Sequence, residues 1–153
     1  MNWYKHFQNE NEFLERSHDY DPNWDYEIYN DSDTEEEVKT FVAQMIAQWE
    51  ASLFSKLKLF RTVKVHFGSL GTKLIAIYVN GTYTEPVIIV DIFNIKDTCK
   101  EIGDENQCLT HVAVSILHEI GHAMQEAQGK EFNEDDAELF ATDYFDFGQI
   151  TLP

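Results

Sequence analysis

The chain has 153 residues, a length typical of one domain, and 43% of them are hydrophobic, which is enough to bury a core. Its 11 Lys and Arg residues against 28 Asp and Glu residues give a net charge of −17. This balance disfavours proteins that hold nucleic acid by its phosphates and proteins that bind anionic membranes, because both need a basic face. We therefore expect no direct nucleic-acid partner and no membrane partner.

The N-terminus shows no apolar segment typical of a secretory signal, and no apolar run approaches the ~20 residues of a membrane span. We therefore expect a cytoplasmic protein in which Cys99 and Cys108 are free thiols. If the protein is exported by another route, the two cysteines could instead close a short loop. They are not expected to bind zinc, because the chain has no second cysteine pair.

Residues 1–33 form an acidic, aromatic-rich N-terminal arm in which no helical or strand period is sustained. We expect an irregular arm that wraps on the rest of the chain, with a short helix near Glu10–Arg16. The arm could also occupy the active cleft as an inhibitory plug. Residues 34–153 are expected to form a single domain.

An amphipathic helix is predicted over about 34–58, where apolar residues recur every three or four positions. Either Asp33 or Thr34 can cap its start, and the glutamates that follow favour the positive end of a helix. The apolar stripe, which includes Met45 and Trp49, is expected to be core.

Three or four strands follow this helix. Residues 62–67 alternate, and the runs 74–79 and 82–84 flank Asn80–Gly81, a pair that predicts a two-residue hairpin turn because both turn positions need positive φ. Residues 87–93 are mostly apolar and are expected to form a central strand. The sheet is therefore predicted to be small and mostly antiparallel.

Two helices complete the domain. The first covers roughly 106–128, and Gly129 is expected to stop it in a left-handed conformation. The second starts at about Asn133 and runs to about Phe145. The predicted order of helix, strands, helix and helix makes the fold class α+β.

The first of these two helices contains an HExxH motif, His118-Glu119-Ile120-Gly121-His122. Residues four apart share a helix face, so the two imidazoles can bind one zinc ion at about 2.0–2.1 Å each. Glu119 can then take a proton from a zinc-activated water and pass it to the leaving amine. The alternative is two ordinary helix histidines beside a solvated glutamate. Gly121 costs about 1 kcal/mol relative to Ala in mid-helix, which indicates a close approach or a crowded site.

A catalytic zinc ion needs a third protein ligand and an open position. Glu134 and Glu138 lie on one face of the last helix, beside Ala137 and Ala141, which are expected to face inward. Glu134 is the expected third ligand. Glu138 either takes that place or hydrogen-bonds a ligand histidine from behind. A solvated acidic helix face is the alternative for both.

Two further side chains have weaker indications. Tyr144 lies near the glutamate face and could stabilise an oxyanion, although a core tyrosine is the simpler interpretation. His111 lies two turns before His118, about 10 Å along the helix axis, which is too far for the same ion. It is expected to be structural or to line a cleft.

The motif HEIGHAMQ followed by E-x-x-A-E-x-F-A is similar to the ImmA/IrrE family of zinc metallopeptidases, which belong to the gluzincin-type zincins. The residues that match its second part are Glu134, Ala137, Glu138, Phe140 and Ala141. The resemblance covers roughly 34–145. It implies a zincin-like fold, one Zn²⁺ per chain and a protein or peptide substrate. A repressor protein is one example of such a substrate. Glu138 replaces the usual Asn or Asp, so the resemblance leaves open which glutamate binds zinc. We expect no attached DNA-binding or sensor domain of the kind often found in the family.

Three functions are compatible with these features. The first is a minimal zinc metallopeptidase, in which the strand nearest the metal could bind an extended substrate by β-addition. The second is a non-catalytic acidic binding protein on a zincin-like scaffold, which mimics nucleic acid or inhibits a basic protein. The third is zinc-dependent hydrolysis of a non-peptide amide, since the motif determines the metal and not the substrate.

Overall fold

The structure, a computed structural model, describes residues 33–54, 63–68, 70, 73–82 and 85–146. Over these residues the fold is α+β, with four α-helices and a three-stranded sheet. In chain order the elements are α1 (Asp33–Trp49), a π-helical turn (Glu50–Phe54), β1 (Lys64–Phe67), β2 (Ala76–Thr82), β3 (Glu85–Val90), α2 (Ile92–Ile102), α3 (Glu105–Ala127) and α4 (Glu134–Asp146). The predicted arm, except Asp33, lies outside the described residues, as do residues 55–58 and 147–153.

The apolar stripe of α1 lies in the core, as predicted. Its buried members recur at three- and four-residue intervals: Val38, Phe41, Val42, Met45, Ile46 and Trp49. Regular α-helix ends at Trp49, which is earlier than predicted. In the π-helical turn that follows, the Ser52 hydroxyl donates to the Gln48 carbonyl at 2.7 Å, a local bond of the kind that competes with the helix ladder.

The sheet has the order β1-β3-β2 and is mixed. β2 pairs antiparallel with β3, whereas β1 pairs parallel with β3, so the prediction of a mostly antiparallel sheet is wrong. The prediction of a central strand is confirmed, because β3 lies in the middle and Ile88, Ile89 and Val90 are completely buried. The most apolar strand buries the most apolar surface when it has a neighbouring strand on each edge. β3 therefore lies between β1 and β2.

The predicted turn at Asn80–Gly81 is wrong. These residues lie inside β2 opposite Pro86–Val87, and the antiparallel pairing continues beyond them to Thr82 and Glu85. One extra residue, Val79, shifts the register of the hairpin. Such a bulge twists one strand and displaces the reversal from the position that turn chemistry alone indicates.

Helix α2 was not predicted, because the mostly apolar run over 87–93 was assigned to a single strand that continues through Asp91. The strand ends at Val90, and Asp91 caps α2 through a carboxylate that accepts the N–H of Asn94 at 3.0 Å and of Leu70 at 2.9 Å. Gly103 ends the helix with φ 71°. The helical spacing of its buried residues was visible in the sequence: Ile92, Ile95 and Cys99.

A disulfide joins Cys99 in α2 to Cys108 in α3, with their Cα atoms 5.0 Å apart and both side chains completely buried. The expectation of free thiols is therefore wrong, and the alternative of a closed short loop applies. Asp104 caps α3 between the two cysteines by accepting the N–H of Gln107 at 2.9 Å. The N-terminal end of α3 is thus fastened to α2.

Both C-terminal helices are confirmed to within two residues at each end. Gly129 follows α3 with φ 70°, the left-handed conformation that was predicted. Helix α3 packs against α4 and β2, so it lies between the sheet and the last helix. Five positions of this helix were predicted to be core: Val112, Ile116, Leu117 and Ile120 are buried, and Met124 is partly buried. No helix in the described ranges is both long and apolar enough to cross a membrane.

Candidate metal centre

The crossing of α3 and α4 is tightest at Gly121. A Cβ atom there would lie 3.2 Å from the Cα of Ala137 and 3.2 Å from Cδ1 of Phe140. The close backbone approach indicated by this mid-helix glycine is therefore confirmed. Ala137 and Ala141 are completely buried in the same contact, as predicted. The approach brings the acidic face of α4 over the histidines of α3.

Four predicted site residues meet at this crossing. Nε2 of His118 lies 2.7 Å from Oε2 of Glu134, and Nε2 of His122 lies 3.0 Å from Oε1 of the same carboxylate. Glu138 contacts the other side of the first imidazole, with its Oε2 2.8 Å from Nδ1 of His118. One carboxylate therefore spans both imidazoles, while the other supports one of them.

Glu119 belongs to the same cluster. One potential ligand atom from each of His118, Glu119 and His122 lies within 4.8 Å of the others. The backbone N–H of Tyr78 in β2 donates to Oε1 of Glu119 at 2.9 Å. Within the described residues β2 is an edge strand of the sheet, so this bond ties the open edge to the HExxH helix.

The orientation of His122 is fixed by Gln125 and Asn133. The side-chain amide of Gln125 donates to the Asn133 carbonyl at 2.9 Å, and its oxygen accepts the Asn133 N–H at 3.1 Å. Nδ1 of His122 lies 3.0 Å from that same oxygen. Because the amide oxygen can only accept, His122 donates through Nδ1–H, and a neutral His122 has a bare Nε2.

Both ring nitrogens of His118 face carboxylate oxygens, Nδ1 that of Glu138 and Nε2 that of Glu134, so either neutral tautomer leaves one bare nitrogen against an acceptor. In the tautomer that could bind a metal ion through Nε2, Nδ1–H of His118 donates to Glu138. Both neutral imidazoles then direct bare Nε2 atoms at the carboxylate oxygens of Glu134, so that acceptors face acceptors at 2.7 and 3.0 Å. Such an arrangement is favourable only with a cation between them, either protons on the rings or a metal ion. Two imidazoles and a carboxylate form a donor set that zinc binds.

The charges of the cluster shift three pKa values. Partial burial lowers the pKa of His118, but hydrogen bonds with Glu138 and Glu134 raise it by more, so the net shift is upward. The hydrogen bond from His118 holds the pKa of Glu134 below its usual value. Burial raises the pKa of Glu119, although the Tyr78 N–H and the two histidines oppose that shift.

An aromatic contact covers the outer side of His122. The ring of Phe132, in the loop between α3 and α4, lies 5.1 Å from the His122 ring and 6.2 Å from the Tyr78 ring. The Tyr78 hydroxyl donates to the Glu126 carboxylate. Burial and this carboxylate raise the pKa of Tyr78. Through Phe132 the loop thus contacts both the histidine cluster and β2.

Sequence reasoning missed several of these supporting residues. Gln125 had a usable signal, since it lies three residues after His122 and so shares its helix face. No sequence signal marked the other three as supporting residues: Tyr78, Phe132 and Asn133. They lie on a strand or in a loop outside the motif and reach it only through the tertiary fold.

The two weaker candidates lie in different places. His111 is exposed and lines a cleft of about 450 Å³ that also contains His118 and Glu119. Tyr144 packs on Phe140 with ring centroids 4.8 Å apart and lines a separate groove beside Gly121. The structure therefore does not bring Tyr144 together with the histidine cluster.

Comparison with known proteins identifies no relative, because no family model, curated protein or solved structure matches the chain.

Proposed function

We propose that the chain is a zinc metallopeptidase of the ImmA/IrrE-like, zincin type, which binds one Zn²⁺ and hydrolyses a peptide bond in a protein or peptide substrate. The convergence of two bare Nε2 atoms on the Glu134 carboxylate, with Glu119 alongside, carries this proposal. His118, His122 and Glu134 would hold the ion. Bound zinc polarises a substrate carbonyl and lowers the pKa of a water to near neutrality.

Glu119 acts as the general base. It takes a proton from the attacking water and delivers it to the leaving amine. Burial raises the pKa of its carboxyl, which favours proton exchange near neutral pH. The Tyr78 N–H holds Oε1, so Oε2 is the oxygen that exchanges the proton.

The contacts of the two glutamates support different roles. Glu134 faces the Nε2 atoms of both histidines, which is the position of a third ligand. Glu138 faces Nδ1 of His118 and so orients that ring and fixes its tautomer. Gln125 does the same for His122. Mutation of such outer partners typically costs 10–100-fold in metal affinity.

An extended peptide is the substrate that the surroundings favour over a non-peptide amide. The edge strand β2 reaches the cluster through the hydrogen bond from Tyr78 to Glu119. An edge strand offers main-chain hydrogen bonds to an extended chain laid beside it. The cleft next to the cluster includes Ala76, the first residue of this strand.

Metal content and peptidase activity together test the proposal. The purified wild-type chain should contain about one zinc ion, which His118→Ala and Glu134→Ala should lose. Glu119→Gln should keep the ion and lower cleavage of a denatured protein substrate by roughly 10²–10⁴-fold, the usual contribution of a general base. His66→Ala, at an exposed position of β1 outside the cluster and the cleft, is the matched control and should keep both zinc and activity.

Two results would contradict the proposal: a chain that neither contains zinc nor is stabilised by it, and cleavage that survives Glu119→Gln. Displacement of a DNA-binding protein by both wild type and Glu119→Gln would instead favour the acidic binding protein.

The cytoplasmic location is likewise a proposal. Disulfides are rare in reducing compartments, so the bond between Cys99 and Cys108 opposes it. Thiol labelling of the protein in its native cells decides the question, since reduced cysteines favour the cytoplasm and an intact disulfide contradicts it.

A further inference from the structure

The cleft beside the metal centre changes its chemical character along α3. Successive turns line it, with His118 and Glu119 at one end, Val114 and Ser115 one turn earlier, and His111 a further turn away. Opposite them lies the segment Lys73–Ala76, which leads into β2. The cleft therefore runs from the acidic cluster toward the N-terminal half of α3.

Its middle is apolar. Val114 forms one wall, and Ile75 and Ala76 are buried beneath the opposite side. Leu74 lines the same cleft with 55% of its surface exposed, which leaves a large aliphatic side chain open beside the cluster. Concave sites with apolar walls and a few polar groups are typical of ligand pockets. This stretch suits an apolar side chain of a substrate.

The cleft also contains a cation. Lys73 lines it and is exposed, and no carboxylate of the described residues pairs with its ammonium group, whereas Lys39 lies 3.9 Å from Glu36. An exposed ammonium group in the wall of the cleft suits a carboxylate on the ligand.

The helix provides the scale. Two turns of α3 separate His118 from His111, which is about 10 Å along its axis. An extended peptide advances about 3.3 Å per residue, so the same distance covers about three residues. The cleft therefore spans about three residues of an extended peptide, and a carboxylate bound by Lys73 would lie within that span of a bond held at the cluster.

We propose that this cleft selects peptides with a large apolar side chain one or two residues from the cleaved bond and a carboxylate within about three residues of it, bound by Lys73. The carboxylate belongs either to an acidic side chain or to the C-terminus of the peptide. This inference rests on the proposed peptidase function.

Digestion of a proteome-derived peptide library by the zinc-loaded full chain, read by mass spectrometry, tests it. Asp and Glu should be enriched about five-fold at one position within about three residues of the cleaved bond, the size that one partly exposed ion pair supports. Lys73→Ala should remove this preference, and Lys73→Glu should replace it with a preference for Lys and Arg. Lys73→Arg should retain it.

Lys130→Glu is the matched control, because it makes the same change in charge at a lysine that lines the other groove. Its preference should match that of wild type. A second digestion, of synthetic peptides with free or amidated C-termini, separates the two sources of the carboxylate. Loss of cleavage on amidation identifies the C-terminus, and unchanged cleavage of a peptide with an internal acid identifies the side chain.

Failure of this inference is distinct from failure of the peptidase function. Cleavage that Glu119→Gln abolishes but that shows no acidic preference, or a preference unaffected by Lys73→Glu, would overturn the cleft assignment alone. The absence of any Glu119-dependent cleavage would overturn the peptidase function and the cleft assignment together.

Discussion

Replacing Gly121 by alanine tests the contact that brings α4 over the histidines. The new methyl group would lie 3.2 Å from the Cα of Ala137, 3.2 Å from Cδ1 of Phe140 and 3.3 Å from the Cβ of Ala137. These distances are shorter than ordinary carbon contacts of about 3.5–4.0 Å. One of the partners is backbone, so the whole of α4 must shift by a few tenths of an ångström.

Two effects of opposite sign determine the change in stability. Alanine is favoured over glycine in a helix interior by about 1 kcal/mol. Overpacking a tight core contact costs about 1–3 kcal/mol. We therefore expect Gly121→Ala to lower the free energy of unfolding by about 1 kcal/mol, and to weaken zinc binding because the shift of α4 displaces Glu134.

Urea unfolding of a double-mutant cycle with Ala137→Gly measures the crowding directly. Removing the Ala137 methyl should recover part of the loss, so the two changes should couple by about 0.5–1 kcal/mol. Gly103→Ala is the control, because Gly103 has φ 71° and a Cβ there would meet nothing within 4 Å. It should be destabilising through backbone strain and additive with Ala137→Gly.

The reasoning is refuted if Gly121→Ala stabilises the chain by the full helix-propensity gain, or if it is additive with Ala137→Gly. Either result would mean that α3 and α4 do not touch at Gly121.

Three other predictions concern the support of the centre. Gln125→Leu should weaken zinc binding about 10–100-fold in a chelator competition, because His122 loses the acceptor that orients it. Gln125→Glu keeps an acceptor for His122 and should weaken zinc binding less. Equal zinc affinities of the two variants would exclude an orienting role for Gln125. Two pKa shifts make the stability of the zinc-free chain depend on pH. The pKa of Glu134 is lowered, so its contribution to stability is present above pH 4.5, its usual pKa. The pKa of His118 is raised, so its contribution is fully present below pH 6.5, its usual pKa. The loss of melting temperature caused by Glu134→Gln should therefore be largest between these values and shrink at pH 8, so a loss that is constant with pH would contradict the pairing. Reducing the bond between Cys99 and Cys108 should lower the free energy of unfolding by about 2–3 kcal/mol in urea titrations, with no effect on a Cys99→Ala/Cys108→Ala double variant.

Apolar periodicity predicted the helices whose own sequence repeats at the helical spacing. Helices α1, α3 and α4 each have a three- and four-residue apolar spacing, and the residues on that spacing are buried. Gly121 and Gly129 were assigned correctly because each has a local physical cost or conformation that few other residues tolerate. These features depend only on neighbours along the chain.

The order of the strands and the boundaries of the elements were harder to predict from the sequence. The run over 87–93, which is apolar except for Asp91, contains both the end of β3 and the start of α2, and its periodicity alone does not separate them. The parallel pairing of β1 with β3 joins segments that are distant in sequence. The bulge at Val79 also displaced a turn that Asn80–Gly81 indicated by itself.

The sequence by itself located the HExxH motif and limited the expected third zinc ligand to two glutamates on one helix face. Only the tertiary structure separated Glu134 from Glu138, because the two differ in which imidazole nitrogens they contact. Helical spacing places both glutamates on the same side, one turn apart. Which nitrogen each one meets depends on how closely α4 crosses α3 at Gly121, a distance between helices that no local pattern contains.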